Sequence, residues 1–177
     1  GLVGSDGETH HGIFDVGYLS EVPGMTVLCP SNFAELREML KIALYEIEGP
    51  VAVRYPRGGE GGFQEVACED DSVCIRQGSD ITLVGYGTMV NELLCVCERL
   101  EAEGISAELI KINRIASDEF SVVMDSLRKT GRILVAEEVC AIGCVGRRIL
   151  ARASQTGVCL RAARIVNLQE GIVPHGD

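Results

Sequence analysis

The chain has 177 residues, enough for one domain or two small ones, and its 46% hydrophobic residues can fill a sizeable core. With no Trp and only 5% aromatic residues, that core must be built mainly of Val, Ile, Leu and Ala. A net charge of −10 argues against a nucleic-acid backbone or an anionic membrane as partner, and no apolar run approaches the ~20 residues needed to span a bilayer.

The chain opens on a polar, Gly-rich stretch, Gly4-Ser5-Asp6-Gly7-Glu8-Thr9-His10-His11-Gly12, which holds two of its three histidines. A short helix is expected from Ile13 to Leu19, then a turn at Pro23-Gly24. Met25 to Cys29 is an apolar run of strand length. Ser31 is placed to cap a helix in which Leu36, Met39, Leu40, Ala43, Leu44 and Ile47 recur at amphipathic spacing. Gly49-Pro50 stops that helix, and Val51 to Arg54 forms a strand that ends in Arg54-Tyr55-Pro56-Arg57-Gly58-Gly59, a second polar loop.

Residues 58–79 turn Gly-rich and then acidic, which reads as a linker with a brief strand near Val73 to Ile75. From Asp80 the texture is regular. Strands are expected at Ile81 to Gly85, Ile105 to Ile110, Arg132 to Ala136 and Ala163 to Val166. Between them lie a helix capped by Thr88 and closed by Gly104, one capped by Ser117 and ended by Gly131, and one from Gly143 to Ala153. Strand–helix alternation of this kind means βαβ units and a mainly parallel sheet faced by helices.

The eight cysteines include no C-x-x-C pair. Most sit among Val, Ile and Leu as small hydrophobes. Zinc spacing is absent, so no metal site is expected, and scattered cysteines without a signal peptide suit a reducing, cytoplasmic setting.

Asp6 and His10, four apart, could share one side of a helical turn, where a carboxylate fixes an imidazole for proton handling. The same spacing suits an Asx-type turn beside a surface histidine. Arg54 and Arg57 flank Pro56, and arginine forks read phosphate or carboxylate at two points; an exposed turn with ion-paired arginines fits equally. Gly85-Tyr86-Gly87-Thr88 resembles a nucleotide-binding turn but lacks the third glycine of the fingerprint, which leaves tight packing as the better reading. Gly143-x-x-Gly146 is weaker still. Glu137-Glu138, expected just past a strand end, could be a site or a pair of solvated acids.

Taken in order, Asp6-Gly7-x-Thr9-His10-x-Gly12-x-Phe14-Asp15, Tyr18-Leu19, Pro23-Gly24-Met25, Pro30-Ser31 and Arg54-Tyr55-Pro56-Arg57-Gly58 resemble the 1-deoxy-D-xylulose-5-phosphate synthase family of transketolase-like thiamine diphosphate enzymes. Gly85-x-Gly87-Thr88-Met89, Glu137-Glu138 and Val173-Pro174-His175-Gly176 are similar to that family's C-terminal domain. The later set is shared more loosely with transketolases and 2-oxoacid dehydrogenase β subunits.

The resemblance implies an α/β fold. Residues 1–62 would be the second half of a pyrimidine-binding domain, 63–79 a linker and 80–177 a transketolase C-terminal domain. It implies a magnesium- and thiamine-diphosphate-dependent, homodimeric transferase. That enzyme condenses pyruvate with glyceraldehyde 3-phosphate, releases carbon dioxide, and supplies isoprenoid, thiamine and pyridoxal synthesis. By family position Asp6 and His10 face the substrate, His10 acts in catalysis, Arg57 binds the acceptor phosphate and Arg54 is a lesser candidate. The family usually carries Gln where this chain has His11, to which no role is given. The diphosphate- and magnesium-binding residues, the catalytic glutamate and the ring-stacking aromatic would lie upstream. Both ends therefore read as cut from a longer polypeptide, with no cofactor expected on these residues alone and no activity in isolation. The alternatives are another transketolase-like carboligase, a 2-oxoacid dehydrogenase β subunit, or a non-catalytic assembly domain.

Overall fold

In the computed structural model, which describes residues 1–168 and 172–176, the chain runs through a small two-stranded unit and then a five-stranded sheet. The first unit contains α1 (Asp15–Ser20), β1 (Thr26–Leu28), α2 (Phe33–Tyr45) and β2 (Val51–Val53), with β1 and β2 parallel. The second contains β3 (Ser72–Arg76), β4 (Ile81–Gly85), α3 (Met89–Ala102), β5 (Ala107–Ile112), α4 (Ser121–Thr130), β6 (Arg132–Cys140), α5 (Val145–Gln155) and β7 (Ala162–Leu168). Its strand order is β3-β5-β4-β6-β7. All neighbours are parallel except β3, an antiparallel edge strand on β5.

The side-chain alternation of the central strands builds three layers. Leu83 and Leu109 join Leu93 and Cys97 of α3 in one cluster. Their neighbours Val84 and Ile110 join Val123, Met124 and Leu127 of α4 and Val145 and Ile149 of α5 in another. That second cluster also takes in Val16, Val27 and Cys29, so the first unit packs into the same core. Backbone bonds continue the join: the Cys29 amide donates to the Asn113 carbonyl at 2.9 Å and the Ile115 amide to the Val27 carbonyl at 3.0 Å.

Several boundaries differ from the sequence reading for visible reasons. Asn32, not Ser31, caps α2: its side chain accepts from the Glu35 amide at 2.8 Å. Thr88 is already helical in φ and ψ, and its side chain caps nothing. The helix expected from Ser117 begins at Ser121, behind Phe120 at φ 44°. Arg148 of α5 explains this, because its guanidinium takes the carbonyls of Ile115, Ala116 and Ser117 and the carboxylate of Asp118. Those carbonyls are thereby held in a loop. β6 runs on to Cys140, whose amide donates to the Ile13 carbonyl at 2.9 Å, so Glu137 and Glu138 lie within the strand.

A buried ionic knot ties α2 to β5. Lys111 and Glu35, whose side chains are both 0% exposed, pair at 2.8 Å. Lys111 also donates to the Ala67 carbonyl at 3.1 Å and to the Asn113 side chain. Glu35 accepts from the amides of Ser31 and Ala67, and Asn113 donates to the carbonyls of Ala67 and Asp70. Burial pulls the Lys111 pKa down, while Glu35 opposes that shift. Removing one member leaves the other charge buried and unpaired, which costs ~3–5 kcal/mol. Lys111→Met should therefore lower unfolding free energy by about that amount in urea titration, and adding Glu35→Leu should restore most of the loss.

Candidate functional site

The polar opening is two consecutive 3-10 turns, Gly4–Asp6 and Glu8–His10, hinged at Gly7 with φ 94°, a conformation open to glycine. The hinge places Asp6 and His10 on separate turns. Asp6 reaches Arg57 and forms an ion pair with it. The His10 ring, exposed to solvent, contacts the Thr9 hydroxyl through Nδ1 at 3.2 Å. The structure thus brings Asp6 and Arg57 together from two distant loops, and gives the Asp6 carboxylate a guanidinium where the spacing suggested the imidazole.

Arg54 takes a different place. Its side chain is 12% exposed, and its Nε donates to Asp15 at 2.8 Å. Nη2 donates to the carbonyls of Gly12 at 3.0 Å and Glu138 at 3.4 Å. The guanidinium carbon lies 5.8 Å from the centre of the Tyr86 ring, within cation–π range. Burial works against its charge, but Cys29, Asp15 and Tyr86 around it push its pKa above the usual arginine value. The side chain is committed to holding the opening loop, α1 and β6 together, three residues from the exposed Arg57.

Under Arg54 lies a pair that the sequence reading did not find. Glu137 is 3% exposed and Tyr86 2%. The Tyr86 hydroxyl donates to Glu137 Oε2 at 2.8 Å, and the amides of Val145 and Gly146 donate to the same carboxylate at 3.0 and 2.9 Å. Glu137 therefore closes the N-terminus of α5, where a negative charge is favoured. A signal was present: an acid inside the apolar run Val135-Ala136-Glu137-Glu138-Val139 must find partners if it is buried. Where the sequence left open solvated acids, Glu137 is an internal one. The turn before α5 meets α1 closely. A Cβ on Gly143, at φ 75°, would lie 2.6 Å from the Gly17 Cα.

The tail returns to the opening loop. His11 Nε2 lies 3.4 Å from the Pro174 carbonyl and His175 Nε2 lies 3.3 Å from that of Ser5. Beside Arg57, a narrow crevice is lined by Phe33, Leu36, Tyr55, Pro56, Gly59 and Thr88 among others. Asp6, His10 and Arg57 lie outside it, and the Asp6–Arg57 pair is partly open to solvent. Among the described residues no three His, Cys, Asp or Glu side chains gather into a metal-holding group, no helix is long and apolar enough to cross a membrane, and no two cysteines are joined in a disulfide.

Residues 1–59 match the family model for the transketolase pyrimidine binding domain, and residues 71–176 match that for the transketolase C-terminal domain. The chain belongs to the transketolase family. Within it, the chain is similar to 1-deoxy-D-xylulose-5-phosphate synthases: that of Heliobacterium modesticaldum is 38% identical over 185 residues, covering 100% of this chain and 28% of the relative. That of Chlorobium phaeovibrioides is 38% identical over 182 residues, with the same coverages. The chain thus spans 28% of the length of these relatives. Among solved structures, a split-gene transketolase described as an inactive β4 tetramer superposes with a TM-score of 0.78 at 28% identity, covering 94% of this chain and 55% of that one. A Pichia stipitis transketolase shares the fold at a TM-score of 0.75 and 19% identity.

The Tyr86–Glu137 contact has a readable titration. Burial, reinforced by the Glu137 carboxylate, lifts the Tyr86 phenol well above the ordinary tyrosine range, with Arg54 opposing. A folded-state acid with a raised pKa binds its proton more tightly than the unfolded chain does. Its contribution is therefore complete below about pH 10 and is lost as pH rises beyond that. Absorbance titration at alkaline pH should show one phenolate step coupled to unfolding, and Tyr86→Phe should remove that step alone.

Proposed function

We propose that this chain supplies the substrate-side wall and the C-terminal domain of a thiamine-diphosphate-dependent transferase. The enzyme condenses pyruvate and glyceraldehyde 3-phosphate to 1-deoxy-D-xylulose 5-phosphate with release of carbon dioxide, at the head of isoprenoid, thiamine and pyridoxal synthesis. The observation that carries this reading is the convergence of Asp6 and Arg57 from two loops, in a chain similar along its whole length to such synthases. We assign residues 1–62 to the pyrimidine-binding domain, 63–79 to a linker that carries β3, and 80–177 to the C-terminal domain, in a cytoplasmic homodimer.

The residues present fit one side of the implied cofactor. The exposed imidazole and guanidinium offer polar groups to a substrate, while the diphosphate and Mg2+ need ligands beyond those gathered here. When bound, thiamine diphosphate supplies the carbanion-stabilising chemistry that lets a 2-oxoacid lose carbon dioxide. Arg57 binds the acceptor phosphate through its fork. Asp6 holds Arg57 in place and neutralises it before the phosphate arrives. His10 donates to or accepts from the oxygens of the bound substrates. Arg54, with Nε and Nη2 engaged by Asp15 and two carbonyls, positions the loop that carries these groups.

A second reading, a non-catalytic assembly domain, is favoured by the inactive state given for the split-gene neighbour. Exposed Tyr18, Leu44, Tyr45 and Ile142 supply apolar surface for assembly. In either reading these residues alone do not complete a thiamine site.

The complete polypeptide that carries this chain should release carbon dioxide from pyruvate when glyceraldehyde 3-phosphate is present. Arg57→Ala should raise KM for the phosphorylated acceptor roughly 10- to 100-fold, the worth of a lost charged hydrogen bond of ~1.5–3 kcal/mol, with little change in KM for pyruvate. His10→Ala should lower kcat by about 100-fold or more. Equal effects of Arg57→Ala on both substrates, or no turnover by the complete polypeptide, would defeat the catalytic reading.

A further inference from the structure

We propose that His11 is a positioning residue that latches the Pro174–Gly176 tail onto the back of the opening loop, and so holds Asp6 and His10 in place. Both ring nitrogens are engaged. The Val3 amide donates to His11 Nδ1 at 3.1 Å, and Nε2 faces the Pro174 carbonyl at 3.4 Å. An amide can only donate and a carbonyl can only accept. Nδ1 therefore accepts and Nε2 carries the N–H, and the ring bridges two segments 163 residues apart in sequence.

The tail makes two further contacts in succession. His175 Nε2 donates to the Ser5 carbonyl at 3.3 Å, and a Cβ on Gly176 would stand 3.4 Å from the Gly4 Cα. Ser5 precedes Asp6 on the first 3-10 turn, and His11 follows His10 at the end of the second. The tail thus grips the loop on both sides of the Gly7 hinge. A left-handed glycine between two short turns leaves the hinge conformationally free, so the angle between Asp6 and His10 depends on contacts from outside the loop. The tail, through His11 and the Ser5 carbonyl, provides them together with the Asp6–Arg57 pair.

The consequence for turnover rests on the function proposed above; the latch itself does not. Hydrogen-exchange mass spectrometry on the complete polypeptide separates the two. His11→Leu removes both hydrogen bonds and should speed exchange roughly 5- to 30-fold in the opening loop and also in the tail peptide holding His175 and Gly176. His11→Gln keeps one acceptor oxygen and one N–H donor, and should leave both peptides near wild type. His11→Leu combined with His175→Leu should add little to either alone, because both release the same segment. In the carboligation assay His11→Leu should lower kcat several-fold and His11→Gln should restore it. A tail unaffected by His11→Leu, a glutamine variant as fast-exchanging as the leucine one, or additive effects in the double variant would overturn the latch. Loss of protection as expected, in a polypeptide without carboligase turnover, would sustain the latch and remove only the functional reading.

Discussion

One guanidinium holds the site region in register. Arg54 leaves the end of β2, pairs with Asp15 of α1, takes the Gly12 carbonyl of the opening loop and the Glu138 carbonyl of β6, and lies over the Tyr86 ring. These groups come from four separate segments. A largely buried arginine of this kind is stabilising only when its donors are matched, and three of its contacts are charge-assisted hydrogen bonds. The geometry of Arg57, three residues on, and of the opening loop is inherited from this hub. Beneath it, Tyr86 passes the support to Glu137 and so to the first amides of α5.

The hub works because the two units cannot slide past each other. The Glu35–Lys111 knot crosses their boundary in a fully buried position, and the segment between β2 and β3 contributes Ala67 and Asp70 carbonyls to it. An ionic network in such a place adds less stability than a hydrophobic substitute would, but it penalises misregistered docking, since a shifted Lys111 would lose every acceptor at once. The hydrophobic cluster that runs from Val27 to Ile110 supplies the attraction; the knot supplies the alignment.

Much of this was legible from residue order. The alternation of strands and helices, the amphipathic stripe of α2 and the parallel sheet follow from local periodicity, which needs no knowledge of distant contacts. The differences arose where a remote side chain intervened. Arg148 captures the carbonyls after β5 and delays α4 to Ser121; Asn32 rather than Ser31 caps α2; β6 continues beyond Ala136 because Ile13 and β7 give it partners. In the site, sequence singled out Asp6, His10, Arg54 and Arg57, yet spacing could not show that Asp6 pairs with Arg57, that Arg54 is enclosed, or that His11 meets the tail. Those are through-space facts joining segments far apart along the chain.

Glu137 carries one more consequence. The first free amides of a helix form a natural seat for phosphate, and α5 starts after a Gly-containing turn of the sort that often exposes such a seat. Here the seat is taken by the chain's own carboxylate. An incoming phosphate would meet a negative charge there. This helix N-terminus is spent on internal architecture.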